Sequence, residues 1–318
     1  MSKVTPTVEG GLLTAITVIL GLAAVYLPIF GAFVEFFCGV PIVVLTVRQG
    51  VKRGAVSLAS SLILLTIFVG PLLSMRIALS FGLCGLVLGI CMARGFDTVK
   101  SFLATLGAAF IAQIFAVGIL MLALDVNPMD VELKAVQEAF DESFKMYEEM
   151  GVDQAAIAQL REQVAPSIEL IKYLLPMILL IMAVINAAAC YLTAKWIFQK
   201  LRMKFLEPLP PFHEWRFPIT FLYLASFAIL GVYWGSTRGL ELLYTISVNA
   251  AFFAMSVGLL QGLAVLSCVA EHYNVSTWLR RVIFVIIILN MLTIQIVAVT
   301  GMFDMIFDYR KKFSDEGR

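Results

Sequence analysis

Long apolar runs constrain the fold of this chain more than any other feature. A bilayer core about 30 Å thick takes about 20 apolar helical residues to cross. Hydrophobic residues make up 61% of the sequence and charged residues 14%, a balance unlike that of soluble domains. We therefore predict an all-α fold, a polytopic transmembrane helix bundle, which excludes soluble enzymes, disordered regulators and nucleic-acid binders. Nine stretches are candidate spans: Gly11–Ala32, Phe36–Val47, Gly54–Leu73, Arg76–Ala93, Ser101–Leu124, Ser167–Phe198, Pro218–Gly235, Leu242–Ala270 and Val282–Phe307.

The second of these stretches is too short to cross a bilayer upright. It contains Pro41, which frees backbone carbonyls that protein or water must satisfy at membrane depth. A tilted, thinned or re-entrant helix is therefore expected at this position.

The distribution of Lys and Arg orients the stretches, because cations concentrate in cytoplasmic loops. With the N-terminus inside, twelve cations fall in inner loops and six in the longer outer connections. We expect a multi-pass protein of the bacterial cytoplasmic (inner) membrane with its N-terminus inside. The inner cations are Arg48, Lys52, Arg53, Arg94, Lys100, Lys195, Lys200, Arg202, Lys204, Arg216, Arg280 and Arg281.

The basic C-terminal tail, 310–312, conflicts with nine simple crossings, because it would then lie outside. Either Val282–Phe307 is a hairpin of two short helices, broken near Asn290 to Thr293, or an earlier stretch does not cross. We expect the tail to lie inside. Within a range of about eight to ten membrane segments, the number is then eight or ten and not nine.

Residues 125–165 differ in composition from the rest of the chain, with ten acids, three bases and a net charge of −7. Apolar residues from Leu133 to Tyr147 recur at helical spacing, and Asp153 can cap a second helix. We expect an extracytoplasmic amphipathic helical hairpin, and the alternative is a solvated acidic loop. The predicted domains are residues 1–124, a membrane bundle of about five segments; 125–165, the hairpin; 166–217, the sixth span and a basic inner loop; and 218–318, a C-terminal membrane bundle.

Polar side chains inside apolar stretches are costly and often functional. Glu35 and Arg76 fall at the outer ends of their stretches, where they either pair, line a mouth or anchor ordinary helix ends. Asn249 and Gln261 either contact a solute or hydrogen-bond between helices. The candidate substrate-binding residues are Glu35, Arg76, Gln113, Asn249 and Gln261, chosen from a set that also holds Asn186, Asn290, Gln295 and Asp304.

Small residues recur at helical spacing on two stretches. Gly82, Gly85 and Gly89 lie on one of them, and Gly11 and Ala15 on another. Small residues at this spacing let helices approach closely, so we predict packing inside the protein or against a partner helix.

The sequence offers little for catalysis. It has five cysteines without a CxxC pair and two histidines, and it lacks the Walker A, HExxH and GxSxG motifs. A catalytic pair of His213 with Glu214 is an alternative to an interfacial loop. We expect no enzyme activity, no catalytic residue, no metal and no cofactor, with the cysteines acting as small buried hydrophobes.

Several short motifs, taken in order, resemble the YybS-like family of predicted bacterial membrane proteins, a family of unknown function. The motifs are Thr7-Val8-Glu9-Gly10-Gly11, Gly39-Val40-Pro41, Val47-Arg48-Gln49-Gly50, Trp215 to Pro218, Asn249 with Gln261-Gly262-Leu263, and Gly301-Met302-Phe303-Asp304 through Asp308-Tyr309-Arg310-Lys311. The N-terminal stretches are also similar to the substrate-capture (S) subunits of energy-coupling-factor transporters.

Two functional hypotheses follow. The first is capture of a small solute from the outer face, in a pocket beneath the hairpin. The second is a non-transporting scaffold or assembly factor that binds another membrane subunit or forms a homo-oligomer. In either case the lipid bilayer is a partner and nucleic acid is not. A closed polar cavity of about 300 Å³ or more under the hairpin favours capture, whereas pairing of Glu35 and Arg76 with each other or with lipid headgroups favours the scaffold.

Overall fold

The computed structural model describes residues 5–28, 30–124 and 128–311, and within these ranges it contains helices and no strand. This confirms the predicted all-α class. A bilayer imposes helices on such a chain, because each backbone N–H and C=O must be satisfied within its own segment. The α-helices are α1 (Pro6–Tyr26), α2 (Gly31–Glu35), α3 (Val40–Gln49), α4 (Val51–Val69), α5 (Pro71–Ile77), α6 (Leu83–Ala93), α7 (Thr98–Leu124), α8 (Pro128–Glu149), α9 (Gln154–Tyr173), α10 (Leu175–Lys200), α11 (Thr220–Arg238), α12 (Glu241–His272), α13 (Thr277–Leu289) and α14 (Met291–Phe307).

Eight helical stretches in these ranges are long and apolar enough to cross a membrane: α1, α2 with α3, α4, α5 with α6, α7, α10, α11 and α12. The bent pair of α13 and α14 adds a ninth if it forms one broken span, so the structure gives eight or nine where eight or ten were predicted. A π-helical turn, Ala78–Gly82, joins α5 to α6.

The predicted bounds of the second stretch, Phe36–Val47, were too narrow. The structure extends it to Gly31–Gln49, which is 19 residues and long enough to cross. Pro41 stands in the first turn of α3, where a missing N–H removes no helical bond. The Phe36 carbonyl in the preceding turn accepts a hydrogen bond from the Thr193 hydroxyl of α10, at 3.1 Å. The Phe36 carbonyl at this break is therefore satisfied by protein.

The chain forms two compact units. Unit 1 comprises Met1–Ile168 and Ile178–Leu209, and unit 2 comprises Glu169–Met177 and Pro210–Arg318. The boundary at 209/210 falls in the proline-bearing loop between α10 and α11.

In unit 1, α3 is the central helix, and Ile42, Val43 and Leu45 are fully buried. One cavity of 480 Å³ lies where four parts of unit 1 meet: the end of α3, the end of α6, the start of α7 and the segment after α10. It is lined by Val47, Met92, Thr98 and Glu207 among others. One end of unit 1 therefore gathers the loops that carry most of the predicted inner cations.

The acidic segment forms two helices, α8 and α9, with Gly151 in a left-handed conformation between them (φ +83°). Arg161 of α9 lies 3.4 Å from Asp141 of α8 and stacks over the Phe144 ring. Residues 125–127, which include the predicted boundary at 124/125, lie outside the described residues.

The predicted start of the sixth span at Ser167 was wrong. The amphipathic helix continues through Lys172 to Tyr173, so the span begins at Leu175.

In unit 2, the last apolar run is broken at Asn290, within the predicted range, and α13 and α14 bend by 107° there. The break satisfies its own backbone. The Asn290 side chain accepts the N–H groups of Leu292 and Thr293, and the Thr293 hydroxyl donates to the Ile287 carbonyl at 2.9 Å. Such local satisfaction suits a turn at membrane depth.

Helix α14 packs against α12, with Gly301 against Gly258 and Asp304 against Gln261. The end of α14 lies near the end of α12, because Arg310 donates to the carbonyl of His213 and the His213 ring lies 2.7 Å from Glu271 in the last turn of α12. The α13–α14 pair starts and finishes at one end, as in a re-entrant hairpin.

Candidate functional site

The five candidate binding residues do not form a single site. Glu35, Arg76 and Gln113 belong to unit 1, whereas Asn249 and Gln261 lie on α12 in unit 2.

Glu35 and Arg76 pair with each other. Arg76 Nη2 lies 3.1 Å from Glu35 Oε1, and the side chains are 53% and 12% exposed respectively. Glu35 ends α2 and Arg76 lies in the last turn of α5, directly before the π-helical turn. The pair thus ties the second span to the fourth.

Gln113 of α7 and Arg76 line the same cavity, which has a volume of 210 Å³. Its other walls are apolar and include Leu72, Leu79 and Leu120. Ligand pockets usually measure about 300–1,000 Å³. This cavity is therefore smaller than the enclosed polar chamber that capture of a solute calls for.

Asn249 bridges the gap between α9 and α10. Its Oδ1 accepts the N–H of Met177 at 3.0 Å, and its Nδ2 donates to the carbonyl of Tyr173 at 2.5 Å. The Tyr173 ring also meets Tyr244 edge to face, with ring centroids 5.0 Å apart. The amide therefore satisfies backbone groups that the break in the helix leaves free.

Gln261, Asp304 and Arg310 form a buried group that we call the C-terminal polar cluster. Gln261 Oε1 accepts the N–H of Phe217 at 3.0 Å, and its Nε2 donates to Asp304 Oδ2 at 2.6 Å. Asp304 Oδ1 accepts the N–H of Tyr309 at 2.8 Å. Each amide and carboxylate oxygen in this set thus has a protein donor.

Arg310 is the third member of the C-terminal polar cluster. Its Nη2 lies 3.3 Å from Asp304 Oδ2, and its Nη1 donates to the carbonyls of His213 and Trp215 at 2.6 and 2.8 Å. Asp304 and Arg310 are each only 4% exposed. The guanidinium therefore pins the loop before α11 to the end of α14.

Further ion pairs surround the cluster. His213 Nδ1 lies 2.7 Å from Glu271 Oε2, whereas its Nε2 lies 3.7 Å from Glu214, so Glu271 is its closer carboxylate. Glu271 also binds Arg280 at 2.7 Å. Arg216 binds Asp308 at 2.8 Å. These contacts join α12, α13, α14 and the loop 210–217 at one end of unit 2.

The predicted small-residue positions differ in their surroundings. A side chain at Gly85 would meet the backbone of Gly39, and one at Gly89 would meet Thr46. A side chain at Gly82 would meet Leu58 and Ile42. These glycines therefore face α3 and α4 at close range.

Gly11 and Ala15 are exposed, and no atom lies within 4 Å of where a Cβ at Gly11 would stand. Both residues line a groove between α1 and α4.

Among the described residues, no group of three or more His, Cys, Asp and Glu is placed to hold a metal ion. The five cysteines are free, and four of them are buried. The described residues thus offer no multi-residue ligand set for a metal.

Sequence analysis missed Arg310 as part of a site, because a cation after the last apolar run is typical of a solvated inner tail. Asp304 was noted among the membrane polar residues but not chosen. The link between them is visible only in the structure, where α14 ends at Asp308, a non-glycine residue in the left-handed region (φ 45°). Beyond this turn, Arg310 Nη2 lies 3.3 Å from Asp304 Oδ2.

Comparison with known proteins decides the family. Residues 15–305 match the model of a family described as a predicted membrane protein, DUF2232. The chain belongs to the DUF2232 family. This DUF2232 chain is also 23% identical over 317 residues to the uncharacterized protein YybS of Bacillus subtilis (strain 168), covering 98% of this chain and 99% of that protein. The predicted YybS-like resemblance is therefore confirmed.

No solved structure matches the DUF2232 chain, so its similarity to the substrate-capture subunits stays a prediction. The motifs that carried the family resemblance meet in space within each unit. In unit 1, Glu9 lies 2.7 Å from Arg48. In unit 2, the motifs around Gln261, Asp304 and Arg310 form the C-terminal polar cluster.

Proposed function

We propose that this DUF2232 protein is a non-transporting membrane scaffold that binds another membrane subunit or a second copy of itself. One observation carries the proposal: the polar groups that could have received a solute bind the protein itself. Glu35 pairs with Arg76, Asn249 binds backbone and Gln261 joins the C-terminal polar cluster. A capture pocket needs polar groups that converge on a ligand.

The proposed orientation has the N-terminus and the cation-bearing end of unit 1 in the cytoplasm of a bacterial cell. Two observations support it. The loop residues around the cavity of 480 Å³ include Lys204 and neighbour Arg48 and Arg94, and cations favour the cytoplasmic side. The acidic helices α8 and α9 follow the opposite end of α7.

Cysteine labelling checks this orientation. In a chain whose native cysteines are replaced, Glu148→Cys on α8 is expected to react with a membrane-impermeant thiol reagent on intact cells, since Glu148 is exposed. Arg281→Cys on α13 is the matched control and is expected to react only after permeabilisation. The reverse pattern would invert the topology.

Solute capture is the second candidate, and one observation favours it. Arg76 is half exposed and shares a cavity with Gln113, so both could face a small polar molecule. A guanidinium presents a fork of donors that suits carboxylate or phosphate.

One experiment separates the two candidates. The full chain, expressed at low level and extracted with its lipids into nanodiscs, is weighed particle by particle and then analysed for released small molecules. The scaffold predicts a discrete complex larger than one chain, unchanged by Gln113→Leu, and no solute at one per chain. A single chain per particle, with or without a bound solute, would contradict the scaffold. A stoichiometric solute that is lost in Gln113→Leu would establish capture.

A further inference from the structure

We propose that a groove between α1 and α4 binds an anionic phospholipid, with the headgroup at Lys52 and Arg53. The groove has a volume of 520 Å³ and is lined by Gly10, Gly11, Thr14, Ala15, Lys52 and Arg53 among others. It belongs wholly to unit 1, and the scaffold proposal does not depend on it.

Small side chains on α1 create the space. Nothing lies within 4 Å of a Cβ built at Gly11, and Ala15, one turn further, is exposed. On the other wall, Val56 is 65% exposed and Leu64 40%. In a membrane these surfaces meet acyl chains, so the groove opens sideways to lipid.

Charge concentrates at one end of the groove. Lys52 and Arg53 lie in the first turn of α4, which contains no acidic residue, and both are exposed. The nearby Glu9 carboxylate is held by Arg48 at 2.7 Å and by the Gln49 amide. The acid is thereby matched by Arg48, and Lys52 and Arg53 remain an excess of positive charge. The free N–H groups at a helix start add to the attraction for an anion.

Arg53 is also held in place. Its Nη1 donates to Gln49 Oε1 at 2.6 Å, and this neutral partner leaves the charge of the guanidinium intact. A held cation loses less side-chain freedom when an anion binds. The site is thus partly ordered before its ligand arrives.

The shape of the groove selects a lipid over a free anion. From Lys52 to Leu64, both of which line it, α4 advances about 18 Å at 1.5 Å per residue. One end is cationic, and the remaining walls are largely apolar with the hydroxyls of Thr14 and Ser57 between them, 2.7 Å apart. A molecule with an anionic head and an apolar tail fills both parts, whereas inorganic phosphate fills only the first.

The test measures lipid retention by native mass spectrometry. The full chain is purified from nanodiscs of equal parts phosphatidylglycerol and phosphatidylcholine. Each cation near an anionic lipid is expected to raise retention about fivefold, so the parent chain should favour phosphatidylglycerol by at least about fivefold. Lys52→Gln with Arg53→Gln should retain the two lipids equally. Arg94→Gln with Lys200→Gln, which removes two exposed cations at the same end of unit 1, should behave as the parent.

A second variant tests the apolar part. Gly11→Leu adds a side chain to the groove at a position where a Cβ meets no atom within 4 Å, and it is expected to lower retention of both lipids while the thermal unfolding of the chain stays as in the parent. Gly107→Leu, at an equally open position on α7, is the matched control. Equal retention by the parent, or a preference that survives both test variants, would mean non-specific annular lipid only and would overturn the proposal. Loss of the preference when inorganic phosphate is added would assign the site to a free anion instead.

Discussion

Replacing Arg310 by methionine is expected to lower the free energy of unfolding by about 3–5 kcal/mol, the usual cost of removing one partner from a buried ion pair. Asp304 would lose its cationic partner in a site where it is only 4% exposed. The carbonyls of His213 and Trp215 would also lose their donor. Denaturant-induced unfolding in detergent, followed by tryptophan fluorescence, measures the change.

Two further variants make this result specific. Arg216→Met removes the ion pair with Asp308, but Arg216 is 59% exposed, so a cost of only about 0–1 kcal/mol is expected. Combining Arg310→Met with Asp304→Leu should recover part of the loss, because no unpaired charge then remains in the site. If Arg310→Met costs no more than Arg216→Met, the C-terminal polar cluster does not stabilise unit 2.

Gly85→Leu is expected to destabilise unit 1 by about 1–3 kcal/mol or more, the range found for overpacked cores. The new side chain would meet the backbone of Gly39, which cannot rotate away as a side chain can. Helices α3 and α6 would have to separate, and α3 is the most buried helix of the unit. The temperature of unfolding in detergent and the yield of monodisperse protein report the effect.

Gly107→Leu serves as the control for Gly85→Leu, since it adds the same side chain to a helix at a position with open space. It should unfold at the temperature of the parent or slightly above, because leucine favours a helix over glycine. Equal stability of the two variants would show that the contact between α3 and α6 tolerates separation.

The features that depend on local pattern could be predicted from the sequence. Apolar runs gave the helices, and the polar residues Asn290 and Thr293 marked the break in the last run. Glycines at helical spacing marked the face around Gly85. Each of these features depends on residues close together along the chain, where periodicity and capping chemistry act.

The partners of buried polar groups could not be predicted in the same way. A buried amide such as Gln261 is costly without a partner, but the sequence cannot tell whether that partner is a solute, a backbone group or a side chain. Here the partners lie far along the chain: Asp304 is 43 residues from Gln261, and His213 is 97 residues from Arg310. Only the packed helices bring them together.

Two of the hydrogen bonds that Asn249 makes give the order of synthesis a structural role. Tyr173 and Met177 leave the ribosome 76 and 72 residues before Asn249. Until α12 has been made, the carbonyl of Tyr173 and the N–H of Met177 lack these partners, and each unpaired backbone group is costly in lipid. The junction of α9 and α10 therefore gains these two hydrogen bonds only after the eighth candidate span has been translated.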